Sequence, residues 1–165
     1  MDRVGKRTWL AGASSRTLIH RPNYPRLADG DFKYTSDADV EYNCFAWAAG
    51  VQDVVWGPVD YPPYYWPDGA PFAWDLDAYS AAFATLGYSE CEHGELESGV
   101  EKIALYAHKN GEPLHATRQL ADGMWTSKIG KSEDIQHVSA YSLEGPKYGT
   151  VVRILRRGRP PQSGV

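Results

Sequence analysis

Cys44 is the residue of this sequence with the widest range of chemistry open to it. It lies in the stretch YNCFAWAAG, where a polar pair is followed by small and aromatic residues and then by Gly50. A cysteine in such a setting is a buried packing residue, half of a disulfide, a metal ligand or a nucleophile. A nucleophilic thiol needs a base within reach, because the thiolate is the reactive form.

The histidines are the candidate bases. His115 follows a predicted turn and Pro113, so its side chain would project beyond the edge of a sheet, and His137 is a second candidate. A cysteine on an early helix with a histidine on a later strand is the arrangement of Cys-His catalysis, in which a third polar group orients the imidazole. The first turn of a helix also favours the thiolate, so we expect a lowered pKa for Cys44.

The third member of such a site is predicted from the strand that contains MWTSKI. Side chains of a strand alternate between the two faces of a sheet, and Trp125 is large and apolar and should face the core. Ser127 then lies on the side of Trp125, while Thr126 and Lys128 lie on the other. We therefore predict that Ser127 accepts a hydrogen bond from the His115 ring, with Thr126 and Lys128 as secondary candidates.

The other roles of a cysteine are less favoured. Cys44 and Cys91 are the two cysteines of the chain, and the five histidines make no close ligand pairs with them. We therefore expect no metal site and no cofactor. A Cys44–Cys91 disulfide is compatible with the spacing, but disulfides belong to exported proteins and the chain shows no export signal.

Charge is distributed unevenly along the chain. Residues 1–30 carry six basic and two acidic side chains, residues 31–146 carry six and nineteen, and residues 147–165 carry five and none. An acidic body repels phosphate backbones, so we expect no nucleic-acid partner despite the basic ends. No apolar run approaches the roughly 20 residues of a membrane span, and we expect a cytoplasmic protein without membrane contact. A specialised system would still be able to secrete it.

The pattern of the chain predicts an α+β fold with N-terminal helices packed on a C-terminal antiparallel sheet. We expect an irregular basic arm over residues 1–30, one domain over residues 31–157 and a flexible basic tail over residues 158–165. A short helix is predicted over residues 39–50 and an amphipathic helix, capped by Asp75, over residues 75–86. Strands separated by glycine-containing turns are predicted over residues 101–108, 113–120, 124–129 and 148–157.

A loop rich in proline and aromatic residues joins the two predicted helices. Its rings offer a platform for a peptide or a sugar, since aromatic side chains stack on ligands. The alternative is that the loop packs its rings over the core. The candidate substrate-binding residues are Trp56, Tyr64, Tyr65 and Trp66.

The motifs YNCFAWAAG, LGYSEC, EKIALYA, GEPLHATRQL and GMWTSKIG together resemble a bacterial domain family of unknown function related to the papain-like NlpC/P60 cysteine peptidases. The resemblance spans about residues 32–156 and implies a papain-like fold. It assigns the nucleophile to Cys44, the base to His115 and the third role to residues 126–128. The Asp-Cys-Ser-Gly motif of NlpC/P60 enzymes is replaced here by Asn43, Cys44, Phe45 and Ala46.

These observations lead us to expect a cysteine hydrolase or transferase that acts on an amide bond of a peptide, a protein or another amide. Asn43 and the backbone N–H of Cys44 would lie at the oxyanion site. Peptidase, amidase, deamidase and transglutaminase activities stay open, as does a role as a bacterial toxin effector with an immunity or chaperone partner. The alternative is a non-catalytic binding module that uses its cleft or its aromatic loop, with Cys44 an inert core thiol.

Overall fold

The computed structural model describes residues 21–28 and 30–161, and β-strands account for most of their regular structure. Within those residues the helical elements are a 3-10 turn (Arg21–Asn23), helix α1 (Cys44–Ala48) and helix α2 (Leu76–Ala84). The strands are β1 (Phe32–Tyr34), β2 (Val55–Trp56), β3 (Tyr64–Tyr65), β4 (Ser89–Cys91), β5 (Val100–Ala107), β6 (Pro113–Gln119), β7 (Trp125–Lys128), β8 (Asp134–His137) and β9 (Thr150–Gly158).

Seven strands form one antiparallel sheet in the order β1-β8-β7-β6-β5-β9-β4. The strands β5, β6, β7 and β8 lie side by side in chain order because short turns connect them. β9 then returns beside β5, and the two edges are closed by the short strands β1 and β4. β2 and β3 form a separate parallel pair within the aromatic loop.

The predicted papain-like α+β fold, with N-terminal helices packed on a sheet, is wrong. The described chain is mostly sheet, and its α-helices have only five and nine residues. The short strands β1 and β4 were not among the predicted strands, and each joins the large sheet by pairing with a distant strand. Pairing over such sequence separations is not encoded in local periodicity.

Both helices begin at capping residues. The side chain of Asn43 accepts a hydrogen bond from the Ala46 N–H at the start of α1, and that of Asp75 does the same for Ala78 at the start of α2. Such caps satisfy N–H groups that have no partner within the helix. The Asp75 cap confirms the predicted start of the amphipathic helix, and α1 is shorter than the predicted span of residues 39–50.

The central strand β5 is buried along its whole length because both faces of the sheet are covered. Ile103 and Leu105 face the side of α1 and α2, where the core also contains Phe45, Trp56, Tyr79 and Phe83. Ala104 and Tyr106 face the opposite side, where smaller clusters include Trp125, Ile135, Leu143 and Tyr148.

The two ends of the described chain are anchored to the sheet. Tyr24 and Leu27, within the predicted basic arm, are buried beside Tyr148, while residues 1–20 of that arm lie outside the described residues. At the other end the Arg159 guanidinium lies 3.3 Å from the buried Glu101 carboxylate. The last four residues of the predicted tail are likewise outside the described chain. In residues 21–28 and 30–161 there is no helix of the length and apolarity needed to cross a membrane.

Candidate functional site

Strands β6 and β7 pair only near one end. Their backbone register joins Arg118 to Thr126 and Gln119 to Trp125, and it stops there. Beyond that point side chains bridge the two strands, with His115 Nε2 lying 3.0 Å from Ser127 Oγ. Both residues are completely buried. The structure therefore brings together the histidine and the serine that the sequence analysis selected.

Ser127 is the centre of a buried network of hydroxyl and imidazole groups. Its Oγ also lies 2.8 Å from His137 Nε2 and 2.8 Å from Thr117 Oγ1. His137 Nδ1 lies 3.0 Å from the carbonyl oxygen of Ser139, an acceptor, so Nδ1 carries the proton of the neutral ring and Nε2 accepts. The Ser127 hydroxyl has one proton, and both Thr117 Oγ1 and His137 Nε2 lie within its reach. We assign this proton to His137 Nε2, because the other hydroxyl near that nitrogen, on Thr117, donates to the Thr126 carbonyl oxygen.

This proton arrangement fixes the tautomer of His115. The Ser127 oxygen, having donated its proton to His137, accepts from the Nε2–H of His115. His115 Nδ1 then carries a lone pair and no proton, and it has no hydrogen-bond partner among the described residues. The ring stacks on Tyr148 with centroids 4.2 Å apart. Burial lowers the pKa of His115 well below 6.5, and the nearby His137 and Lys147 lower it further. The imidazole is therefore neutral at pH 7.

Cys44 lies at the first residue of α1, and this helix packs on β6. The backbone N–H groups of Ala116, Phe45 and Cys44 itself are close enough to the thiol to act on its pKa. Ala116 directly follows His115, and Nδ1 is the ring nitrogen nearer to the backbone. The thiol thus lies next to the backbone of β6 at the residue that follows His115. The hydrogen bonds of the described residues do not include one between Cys44 and His115, whose ring lies on the face of Tyr106.

The expected lowering of the thiol pKa is wrong. Burial raises the pKa of Cys44 to about 12, although the three backbone N–H groups act in the opposite direction. Desolvation wins because α1 has only five residues, too few for a strong helix dipole, and because no cation among the described residues lowers the pKa of the thiol. Cys44 and His115 are therefore both neutral in the resting protein.

Tyr79 is a member of this site that the sequence analysis missed. Its ring centroid lies 4.4 Å from that of Phe45, and its hydroxyl is buried without a hydrogen-bond partner among the described residues. Cys44, Glu112 and Tyr64 lie near enough to influence the pKa of this hydroxyl. Burial raises that pKa above the usual value, so the hydroxyl is a neutral donor. Tyr79 falls within the amphipathic helix predicted over residues 75–86, and periodicity alone carries no signal for its polar end.

Asn43 has a structural role at the start of α1. Its side-chain oxygen accepts from the N–H groups of Ala46 and Trp56, and its amide donates to the Trp56 carbonyl oxygen at 2.8 Å. These contacts use the oxygen and one of the two amide N–H groups to join α1 to β2. Asn43 therefore positions Cys44, and its assignment to an oxyanion site stays a prediction.

The secondary candidates Thr126 and Lys128 face the helical side of the sheet, away from His115. Thr126 Oγ1 accepts from the indole N–H of Trp47 at 3.0 Å. Lys128 Nζ lies 4.2 Å from the centre of the Tyr42 ring and donates to the Ser132 carbonyl oxygen. Both side chains join the sheet to neighbouring segments, as the predicted alternation of faces requires.

The aromatic loop encloses an open pocket of about 570 Å³, and Tyr64, Tyr65 and Trp66 line it. Trp56, predicted to bind substrate with them, is instead a core residue with 3% of its surface exposed. Its ring stacks on Phe83 with centroids 5.4 Å apart. The apolar residue therefore faces inward and the three pocket residues remain as candidates.

Cys91 is a free thiol, as is Cys44, so the two do not form a disulfide. The Cys91 thiol donates to the His93 carbonyl oxygen at 3.3 Å. In the part of the chain that the structure describes, no three Cys, His, Asp or Glu side chains form a cluster with metal-binding geometry.

Comparison with known proteins gives one match. The sequence model of a protein family described as a domain of unknown function, DUF7689, matches residues 33–156. No curated protein and no solved structure matches the chain significantly.

Proposed function

The chain belongs to the DUF7689 family, and we propose that it is a cysteine-dependent hydrolase or acyl transferase that acts on an amide bond. Cys44 is the nucleophile, His115 the base and Ser127 the group that orients the imidazole. The observation that carries the proposal is His115 Nδ1, a buried acceptor without a hydrogen-bond partner in the part of the chain that the structure describes. Its residue directly precedes Ala116, whose backbone N–H acts on the Cys44 thiol. Buried polar atoms normally find partners, so an exception needs an explanation.

A second buried atom supports the same site, because the Tyr79 hydroxyl has no hydrogen-bond partner among the described residues. This hydroxyl is a donor near Cys44, and His115 Nδ1 is an acceptor. A substrate carbonyl needs donors near its oxygen, and a thiol that attacks it needs an acceptor for its proton. The proposal assigns these two roles to the Tyr79 hydroxyl and to His115 Nδ1.

The reaction starts from the neutral pair. In the resting protein the Cys44 thiol and the His115 ring lie on opposite faces of β6, so the reaction requires that the two groups first move together. The thiol then gives its proton to Nδ1 and forms a bond to the carbonyl carbon. The backbone N–H of Cys44 and the Tyr79 hydroxyl donate to the resulting oxyanion. The C–N bond then breaks, and the leaving amine takes the proton from His115. Ser127 keeps the ring in the tautomer that this transfer needs.

The acyl-enzyme is resolved by a second nucleophile. Water or an amine adds to the thioester carbonyl and gives a proton to His115 Nδ1, the C–S bond breaks, and the thiolate recovers that proton. Water yields an acid, and an amine yields a new amide. The neutral resting state disfavours side reactions of the thiol, because the thiolate forms only when a carbonyl is present to take up the charge.

From the resemblance to NlpC/P60 peptidases, the proposal takes the chemistry of these enzymes but not their fold. Peptidase, amidase, deamidase and transglutaminase reactions share the steps above, and the choice among them depends on the substrate. Action as an effector, with an immunity or chaperone partner, stays a prediction.

The test is transfer of an acetyl group from p-nitrophenyl acetate, a general acyl donor. Mass spectrometry of peptides from the wild-type protein is expected to find the acetyl group on Cys44 and its loss over time. Acetylation of the enzyme also releases p-nitrophenol in an initial burst. Cys91→Ser should behave like the wild type and serves as the matched control. Cys44→Ala should show no burst of p-nitrophenol, and His115→Ala should show a slower burst. Circular dichroism checks that each variant is folded.

Two results would overturn the proposal. One is acetylation confined to Cys91 or to lysines. The other is an acetylation rate of Cys44 that is the same in folded His115→Ala as in the wild type, because a base that takes the thiol proton typically contributes about 10²–10⁴-fold.

The second candidate function is a non-catalytic binding module. It is favoured by the raised pKa of Cys44, which is typical of an inert core thiol, and by the exposed rings of the aromatic loop. This function predicts a folded protein without acyl transfer that still binds a ligand in the loop pocket. The acetylation experiment therefore separates the two functions.

A further inference from the structure

The pocket of the aromatic loop combines exposed rings with negative charge. Tyr61, Tyr64, Tyr65 and Phe72 line it, with between 37% and 64% of each residue exposed. Asp60 and Asp68 are its charged lining residues, and neither lysine nor arginine contributes to the lining. Large apolar side chains are normally turned inward, so a group of exposed rings in one concave loop indicates a binding surface.

The loop is held in one conformation by its own contacts. The Gly57 N–H donates to the Tyr65 carbonyl oxygen at 3.0 Å, and the Val55 N–H donates to that of Pro63 at 3.1 Å. The indole N–H of Trp66 donates to the Pro71 carbonyl oxygen at 2.9 Å. A pocket that is already ordered loses little conformational entropy when a ligand enters.

Gly57 allows the close packing of these rings. A Cβ atom at this position would lie 3.1 Å from the Trp74 ring and 3.3 Å from the Tyr64 ring. The rings thus rest on bare backbone, which places Tyr64 at the wall of the pocket. The rings are therefore exposed even though the loop that carries them is well packed.

We propose that this pocket binds a cationic group, an alkylammonium or a guanidinium, through the ring faces and the two carboxylates. The faces of aromatic rings carry partial negative charge and attract cations, with arginine and quaternary ammonium groups as common partners. Asp60 and Asp68 add charge of the same sign, with no basic residue in the lining to neutralise it. An anionic ligand would be repelled, and a neutral sugar would gain from the rings but not from the carboxylates.

The pocket adjoins the candidate site through Tyr79. The Trp66 ring contacts that of Tyr79 edge-on with centroids 4.8 Å apart, and both Tyr64 and Cys44 lie near the Tyr79 hydroxyl. If the proposed function holds, on which this step rests, the cation is a basic side chain of the amide substrate. The substrate class is then a peptide with lysine or arginine near the reacting amide.

Binding is measured apart from catalysis, on folded Cys44→Ala protein, by NMR titration of backbone and indole N–H signals. The probes are acetyl-arginine amide and acetyl-lysine amide, with acetyl-citrulline amide as the neutral match and N-acetylglucosamine as the sugar. We expect saturable shifts confined to residues 55–74 with the cationic probes and weaker binding at high salt. Failure of acyl transfer would leave this result unchanged, so the two proposals fail separately.

Three variants test the residues. Asp60→Asn with Asp68→Asn should weaken binding of acetyl-arginine amide about twofold to thirtyfold, because each exposed charge pair contributes only modestly and two pairs are removed. Tyr61→Leu should weaken it by a similar factor through loss of a ring face. Asp53→Asn, an exposed carboxylate outside the pocket, is the matched control and should leave binding unchanged.

The proposal is overturned by equal binding of acetyl-citrulline amide and acetyl-arginine amide, by selective binding of N-acetylglucosamine, or by the absence of saturable shifts in this loop with either cationic probe. Unchanged affinity in the double aspartate variant would also overturn the assignment of the carboxylates.

Discussion

Replacing Ser127 by alanine removes the hydroxyl group at the centre of the buried network. The Ser127 oxygen lies 3.0 Å from His115 Nε2 and 2.8 Å from His137 Nε2, and all three side chains are fully buried. Alanine is smaller by one atom and does not disturb the strand. The variant therefore tests the hydrogen bonds of the network and not its packing.

The expected loss of stability follows from counting partners. The Thr117 hydroxyl lies 3.2 Å from His137 Nε2 and can turn to it, but it then gives up its 2.8 Å bond to the Thr126 carbonyl oxygen. The Nε2–H of His115 has no substitute acceptor. One buried donor left without a partner costs about 1–3 kcal/mol, and one redirected hydrogen bond costs about 1 kcal/mol. We expect the free energy of unfolding to fall by about 2–4 kcal/mol.

Urea unfolding followed by tryptophan fluorescence measures this change, with Ser89→Ala, an exposed serine on β4, as the control expected to stay within about 0.5 kcal/mol. In the same variant His115 loses the acceptor that fixes its tautomer, so acetylation of Cys44 should slow, though less than in Cys44→Ala. A loss of stability below about 0.5 kcal/mol would refute the reasoning on the network. Reduced stability with an unchanged rate and pH profile of acetylation would leave Ser127 a purely structural role.

Three further predictions concern stability. Burial lowers the pKa of His137 to about 4, whereas the same side chain in the unfolded state accepts a proton near pH 6.5. The free energy of unfolding should therefore fall on the order of 3 kcal/mol as the pH drops from 6.5 to 4. Urea unfolding measures this change, and a free energy that does not depend on pH in this range would contradict the prediction. Glu101→Gln removes a buried carboxylate that pairs with three guanidinium groups and should lower the free energy of unfolding by about 3 kcal/mol. The exposed Glu90→Gln should cost less than about 0.5 kcal/mol, and equal urea midpoints for the two variants would refute the prediction. Gly149→Ala places a Cβ 2.2 Å from a carbonyl oxygen at a φ of +76° and should lower the free energy of unfolding by about 3 kcal/mol or more. At Gly158 an added Cβ has no neighbour within 4 Å, so Gly158→Ala is the control. Thermal unfolding compares the two variants, and an unchanged Tm of Gly149→Ala would contradict the prediction.

The elements that local pattern encodes could be predicted from the sequence. Strands β5, β6 and β7 follow alternating side chains separated by glycine turns, and Asp75 caps α2 as expected. The alternation also placed Ser127 on the face of Trp125 and so beside His115. These predictions succeeded because each depends on a few neighbouring residues.

The remaining features depend on contacts between distant parts of the chain. Phe32 pairs with His137 across the edge of the sheet, and no local signal marks that pairing. The raised pKa of Cys44 reflects the atoms packed around the thiol, which the helix-start argument left out. The capping bonds of Asn43 to β2 and the unpartnered Tyr79 hydroxyl likewise follow from tertiary packing.

The central claim is that neutral His115 offers a free Nδ1 to the proton of Cys44, and nitrogen NMR of the imidazole tests it most directly. Long-range proton–nitrogen spectra of ¹⁵N-labelled protein report which ring nitrogen carries the proton. The account predicts a protonated Nε2 and an unprotonated Nδ1 at pH 7, with the ring still neutral at pH 6.5. A proton on Nδ1, or a charged ring at pH 6.5, would contradict it.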